Sequence, residues 1–185
     1  MFATYVSAKR LREPGPNAQE LEALLRLAAA APDHGRLTPW RFILVPPQRR
    51  SLLADAFALA LLDRDAAASE LEVQQAREKS FRAPMLLIAI VDLGSSPHAQ
   101  IPPLERLVSF GAAIQNILLG AQAMGYGAGL TNGQAMQSLR LRQLCALTPQ
   151  EHAMCCVNIG TVDAHSPERC CVRKQPAEFM SVLSD

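Results

Sequence analysis

The sequence predicts one domain that mixes helices and strands, of the α+β or α/β class, on three observations. Stretches of helical apolar spacing alternate with short apolar runs of strand length, in the order helix, strand, two helices, strand, long helix, strand, helix, strand. The 185 residues suffice for one real core and are too few for two comfortable ones, so residues 1–185 are read as a single domain. Finally, Leu104 to Met124 is apolar on almost every face, more than a surface helix requires. Such a helix needs a second covering surface, and another copy of the chain is the economical source.

Each element has its own signal. Pro14 and Pro16 mark a turn, and Asn17 with Glu20 has capping-box spacing ahead of Leu21, Leu24, Leu25, Leu27 and Ala28. That helix should end near Ala31–Pro32, since the residue before proline leaves the helical region. A polar, turn-rich loop from Pro32 to Trp40 leads to a short strand over Phe42 to Val45, stopped by Pro46 and Pro47. Gln48 to Leu62 and Ala66 to Ser80 read as helices separated by a charged break at residues 63–65. Ala83 to Val91 is apolar throughout and predicts a buried strand. After the long helix, Gly125 to Gly129 reads as a helix end entering a tight turn and strand. Ala135 to Leu147 predicts a helix, Ala153 to Ile159 a second buried strand, and Ala177 to Leu183 one or two turns.

Composition narrows the function classes. Hydrophobic residues make up 49% and charged residues 19%, a globular balance rather than a disordered one. The net charge of +1 gives no global field for nucleic acid or an anionic membrane and leaves room for a local basic site. Met1 to Arg10 lacks the apolar region of a secretory signal, and no uninterrupted apolar run reaches membrane-spanning length. The five cysteines include the adjacent pairs Cys155–Cys156 and Cys170–Cys171, which is no disulfide framework, so a reducing, cytoplasmic setting is expected. Cys155 and Cys156 read as small buried strand residues. Gly125 to Gly129 fails as a dinucleotide loop, because Leu130 stands where the last glycine belongs and a helix, not a strand, precedes it. His165, Cys170 and Cys171 match no zinc spacing, and no metal site is expected.

Three blocks, in order, resemble the nitroreductase family. They are Ser7 to Pro14 (SAKRLREP), Ala31 to Phe42 (APDHGRLTPWRF), and the run from Gly111 to Gly127 continued by Leu130-Thr131-Asn132-Gly133. The exit Asn158 to Thr161 and the late Val172-Arg173-Lys174 add to the likeness, which covers nearly the whole chain and is nearest to the compact bacterial members. The resemblance implies an α+β fold with a mixed central sheet wrapped by helices. It also implies a homodimer packed through the long helices, with FMN in clefts at the interface. The implied activity is oxidoreductase: NADH or NADPH reduces the flavin, and a nitroaromatic, quinone or similar small acceptor is reduced in turn, by a ping-pong cycle.

Residue by residue, Ser7 and Lys9 match the Ser and Lys of the family's R-x-S-x-K element, which binds the ribityl-phosphate and the pyrimidine edge of the flavin. A two-residue spacing puts both on one side of an extended segment. The element's leading Arg falls at Tyr5, so one phosphate-binding cation is missing, and Arg10, Arg173 or Lys174 is the expected substitute. His34, Gly35 and Arg36 match the loop laid against the ribityl chain or ring across the interface, with Thr38 where the family commonly has Gln. Leu130, Thr131 and Asn132 match the stretch whose backbone passes over the ring, and Gly133 lets the chain turn. No side chain is expected to act as catalytic acid or base, since the flavin carries the redox chemistry. Two other readings stand beside this one. One is a flavin-binding or degenerate member with little turnover, motivated by Tyr5. The other is a non-flavin module that uses the long helix for assembly alone.

Overall fold

The computed structural model describes residues 10–94, 100–162 and 173–183. Five strands form one sheet: β1 (Leu11–Arg12), β2 (Trp40–Leu44), β3 (Met85–Asp92), β4 (Gly127–Thr131) and β5 (Glu151–Val162). Five helices accompany them: α1 (Ala18–Ala29), α2 (Arg50–Arg64), α3 (Glu70–Glu78), α4 (Pro103–Ala123) and α5 (Leu139–Leu144). The predicted order of helices and strands holds, with the two-residue β1 added at the front.

β5 is the spine of the sheet. β3 pairs with it from Met85↔Ile159 to Asp92↔Glu151, β4 from Gly127↔Gly160 to Thr131↔Cys156, and β1 at Leu11↔Val162. β2 pairs with β3. Every ladder among the described residues is antiparallel, which corrects the expectation of a mixed sheet. The reason is geometric: β3 and β4 point the same way, yet the reversed β5 lies between them, so they never pair.

Side-chain alternation divides the core in two. One apolar cluster joins α1 and α4 to Met85, Leu87, Ala89, Val91, Cys155, Val157 and Ile159. The other joins α2, α3 and α5 to Leu86, Ile88, Ile90 and Cys156. The free thiols of Cys155 and Cys156 are buried in these layers, as expected of small strand residues, and burial pushes the Cys155 thiol up to about 12.

The helix boundaries follow their caps. Asn17 Oδ1 accepts from the Gln19 and Glu20 N–H groups, and the Asn17 N–H donates to Glu20 Oε2 at 2.8 Å, which completes the predicted capping box. Tyr126 Oη donates to the same Glu20 oxygen at 2.9 Å and ties the turn after α4 to the start of α1. α3 begins later than Ala66 because a second capping box, Ser69 with Glu72, sets its start, while residues 65–68 form a turn on Asp65. The helix expected over Ala135 to Leu147 is divided: a 3-10 turn covers Gln134–Gln137, and extended Ser138 then caps the short α5. Pro176–Glu178 forms a single 3-10 turn in the C-terminal segment. Among the described residues, no helix is long and apolar enough to cross a membrane.

Candidate functional site

The main cleft lies on the α2/α3 side of the sheet. It has a volume of about 670 Å³, within the usual range for small-molecule sites. Phe57, Leu61 and Arg64 of α2 form one wall, and α3 with the turn Lys79–Arg82 forms another. Arg10 closes one side, and the chain leaving β4, Thr131 to Met136, forms the remaining wall.

Of the residues expected from sequence, Arg10, Thr131 and Asn132 meet here. Thr131 is buried, and its Oγ1 accepts from Asn158 Nδ2 at 3.0 Å. Its side chain is therefore anchored by Asn158, with the hydroxyl acting there as acceptor. Asn132 is exposed, and Gly133 follows at φ 130°, a conformation that L side chains rarely adopt. The sequence Thr-Asn-Gly thus gives an anchored residue, an exposed one and a turn in succession. Asn158 Oδ1 is buried beside this turn without a hydrogen-bond partner among the described residues. Leu130 falls on the opposite face of β4 by strand alternation and packs against the α1/α4 core, so it does not line the cleft.

His34, Gly35 and Thr38 form a separate cluster between α1 and β2. The loop is held in an unusual shape: Gly35, Arg36 and Thr38 have φ values of 73°, 52° and 47°. Positive φ costs a β-branched residue such as Thr38 about 1–3 kcal/mol, so the surroundings must enforce it. Asp33 Oδ2 does so by accepting the Thr38 N–H at 2.6 Å, and the His34 ring Nδ1 sits 2.6 Å from Glu105 Oε2 near the start of α4. A Cβ on Gly35 would stand 2.7 Å from Ile101 Cδ1, so the loop is also tightly seated.

Arg10 and the loop cluster lie toward opposite ends of the sheet, while Thr131 lies between them, paired with Cys156. Trp40, just after the loop, pairs with Val91, which pairs with His152, whereas Leu11, just after Arg10, pairs with Val162. Ten residues of strand separate those positions on β5, about 30 Å at the usual rise. Arg173 is exposed on the C-terminal segment and does not line the cleft. Ser7 and Lys9 lie outside the described residues, as do His165, Cys170 and Cys171.

Sequence reading missed Lys79, Arg82 and Arg64, which give the cleft its charge. Burial pushes the Lys79 ammonium below its ordinary pKa, and the neighbouring Arg82 and Arg64 charges push it further the same way. The available signal was the Lys-x-x-Arg pair between an amphipathic helix and a fully buried strand, a junction that places charge at the end of an interior strand. Among the described residues, no group of three or more His, Cys, Asp or Glu side chains is arranged to hold a metal.

α4 turns Leu104 and Val108 outward, each 74% exposed, while Ile114, Ile117 and Leu118 face the core. The helix therefore has an inner apolar side that is covered and an outer apolar strip that is not.

Comparison with known proteins bears on this arrangement. The model of the nitroreductase family matches residues 7–161. A Haemophilus influenzae protein provisionally named an NAD(P)H nitroreductase is 29% identical over 183 residues, covering 99% of this chain and 97% of its own length. The Escherichia coli K12 protein YdjA, with the same provisional name, is 30% identical over 158 residues, covering 84% of this chain and 82% of its own. Among solved structures, a nitroreductase-like family protein from Bacillus cereus superposes with a TM-score of 0.82 at 20% identity, covering 100% of this chain and 94% of its own. NfnB from Sphigopyxis sp. strain HMH, described as an FMN- and NADPH-dependent nitroreductase, superposes at 0.78 with 15% identity, covering 100% and 97%.

Proposed function

This chain belongs to the nitroreductase family, and we propose that it is a cytoplasmic, FMN-dependent NAD(P)H oxidoreductase, active as a homodimer of single-domain subunits on nitroaromatic, quinone or similar small acceptors. The observation that carries the reading is the cleft itself. It joins Arg10 and Lys79 to the Thr131–Gly133 turn, so cations and backbone groups line a space of small-molecule size.

The donor set fits a flavin mononucleotide. The phosphate needs cations and N–H or O–H donors, which Ser7, Lys9 and Arg10 would supply. The pyrimidine edge gains negative charge on reduction and needs a positive neighbour, which Lys79 offers from the cleft wall. The exposed backbone at Asn132 and Gly133 would lie against the ring. When bound, FMN supplies the redox chemistry, accepting hydride from NADH or NADPH and passing electrons to the acceptor in a ping-pong sequence. The chain's own residues bind and orient, and none is assigned as a catalytic acid or base. The FMN and NADPH dependence in NfnB's description supports the same pairing here. The free thiols of Cys145, Cys155 and Cys156 suit a reducing compartment.

The same geometry supports the dimer reading. The loop of His34, Gly35 and Thr38 lies too far along the sheet to share one flavin with Arg10 of its own chain, but a second copy could bring its loop to the cleft. The outer strip of α4, with Leu104 and Val108, is the surface proposed for that contact. Tyr5 in place of the family's Arg supports one further reading, a flavin-binding member with little turnover.

The test is the visible spectrum of the purified protein, followed by NADH or NADPH without oxygen. Flavin bands that bleach on addition of reductant are the expected result. Bands that persist would favour the low-turnover reading. A featureless spectrum unchanged by FMN titration would overturn the flavin assignment.

A further inference from the structure

We propose that Arg64 and Arg82, grouped around Lys79, form an anion-recognition site in the wall of the cleft, and that this site selects a substrate carrying a carboxylate or phosphate. The inference rests on the oxidoreductase reading for the identity of the substrates, but its evidence is the charge of the cleft.

The lining holds four cations, Arg10, Arg64, Lys79 and Arg82, against two acids, Glu72 and Glu78. The whole chain carries a net charge of only +1, so this excess is local. Both acids are already engaged. Glu78 Oε2 pairs with Arg10 Nη2 at 3.2 Å. Glu72 Oε2 accepts the Ser69 N–H at 2.9 Å and the Ser69 hydroxyl at 2.7 Å, closing the cap of α3. Among the described residues, Arg64, Lys79 and Arg82 have no acid within ion-pair distance. Some arginines elsewhere are paired, Arg41 with Glu151, Arg77 with Asp55 and Arg140 with Asp63, and among the described residues others such as Arg12 and Arg49 stand singly on the surface, so what distinguishes Arg64 and Arg82 is that they share one cleft wall with Lys79.

Three unneutralised cations on the wall of one cleft repel one another, and their charges add to burial, the larger cause, in holding the Lys79 ammonium below its ordinary pKa. Their backbones are fixed, since Arg64 ends α2, Lys79 opens the 3-10 turn Lys79–Phe81, and Arg82 follows it. Gathering like charge on rigid elements is favourable when an anion arrives to relieve it, and arginine forks suit carboxylate and phosphate oxygens. Hydride transfer to a neutral acceptor makes no such demand. The shared chemistry has two sources, a carboxylate on the acceptor or the extra phosphate that distinguishes NADPH from NADH.

The test compares the FMN-loaded wild type with Arg64→Gln, Arg82→Gln and the double variant. kcat/KM is measured for 4-nitrobenzoate against 4-nitrobenzyl alcohol, and for NADPH against NADH. The double variant is expected to lower one anionic-to-neutral ratio at least tenfold, each single variant less. The ratio that moves identifies the source, and Arg→Lys variants should restore part of it. Calorimetric binding of benzoate, which needs neither flavin nor turnover, provides a separate reading for the acceptor. Its loss in the double variant supports an acceptor site even if the protein proves colourless. Two ratios that stay level in the double variant overturn the proposal, as does a weakened FMN affinity with both ratios unmoved, which would assign the cations to the cofactor.

Discussion

The two faces of the sheet are built to different ends. On the α1/α4 face, the cluster from Leu24 through Ile117 to Ile159 is a largely apolar layer, to which α4 adds the buried polar side chains Arg106 and Ser109. On the α2/α3 face, the apolar layer of Leu53, Phe57, Leu86 and Ile88 shares its burial with Arg50, Ser80, Thr131 and Asn158. Burial holds most of the first face, because dispersion and the hydrophobic effect need no direction, with Arg106 adding a directed bond to the Ile101 carbonyl at the start of α4. The second is held partly by directed hydrogen bonds, and directed bonds can leave a space open. The cleft occurs where apolar packing gives way to them. The difference suggests that stability and function are divided between the faces, and variants on each can break or sharpen that division.

The largest effect is expected on the apolar face. Ile117 is fully buried in α4, and Ile117→Ala should cost about 4 kcal/mol through lost transfer energy and a residual cavity. Urea unfolding measures this as a fall in midpoint with little change in slope. FMN affinity measured well below the midpoint should remain near wild type. A large loss of affinity in folded Ile117→Ala would show that the faces are not separable.

A somewhat smaller effect is expected from Arg50, which is 4% exposed at the start of α2. Its guanidinium donates to the carbonyls of Val45, Ser80 and Pro84, each at 2.8 Å. It thereby joins the end of β2, the turn after α3 and the start of β3. Arg50→Met keeps much of the volume and leaves three carbonyls without this donor, for a loss of about 2–3 kcal/mol. Because Ser80 adjoins Lys79, this variant should also weaken FMN binding severalfold, which Ile117→Ala should not. Equal FMN affinity in the two variants would count against a directed framework around the cleft.

Asn158 should dissociate stability from binding. Asn158→Leu removes the donor that holds Thr131 and, with it, the unpartnered buried Oδ1. An orphaned buried acceptor is itself costly, so the net change in stability is expected to stay within about 1 kcal/mol. The turn at Asn132 and Gly133 loses its anchor, and the FMN dissociation constant should rise about tenfold. Fluorescence titration checks the affinity, and a value equal to wild type would remove Asn158 from the framework of the site.

Much of this division was legible in the sequence, for identifiable reasons. The Asn17–Glu20 capping box rests on local chemistry and appears as read, while the strand before Pro46 and the buried strand ending near Val91 are both present with ends shifted by one or two residues, to Trp40–Leu44 and Met85–Asp92. Cleft residues carried by recognisable blocks, such as Thr131 and Asn132, were also legible. β1 was not, because two residues carry no period and their pairing with Val162 and Thr161 is set by tertiary contacts. Arg64, Lys79 and Arg82 were hidden for a related reason. Along the chain they look like ordinary solvated charges, and only the packing of α2 against α3 brings them to one wall. The helix over Ala135 to Leu147 was overdrawn because apolar spacing continued past Ser138, whose side chain accepts the Leu141 N–H and starts a new helix.

The smallest effect concerns Lys79 and depends on pH. Its ammonium pKa is depressed in the folded chain, first by burial and then by Arg82 and Arg64. Below the folded pKa the charge burdens the native state by a constant amount. As pH rises through the folded pKa, the native amine gives up its proton before the unfolded one does, and the burden is relieved. Wild-type stability should therefore rise with pH across that alkaline window, up to the ordinary lysine value, relative to Lys79→Met, where no group titrates. Urea midpoints of the two proteins between about pH 7 and 10 measure the difference. An anion held by Arg64 and Arg82 would neutralise the repulsion and return the ammonium pKa upward, so saturating benzoate should flatten the wild-type rise. Parallel curves for wild type and Lys79→Met would mean that solvent already screens the cluster, and the charge asymmetry between the two faces would then have no thermodynamic consequence.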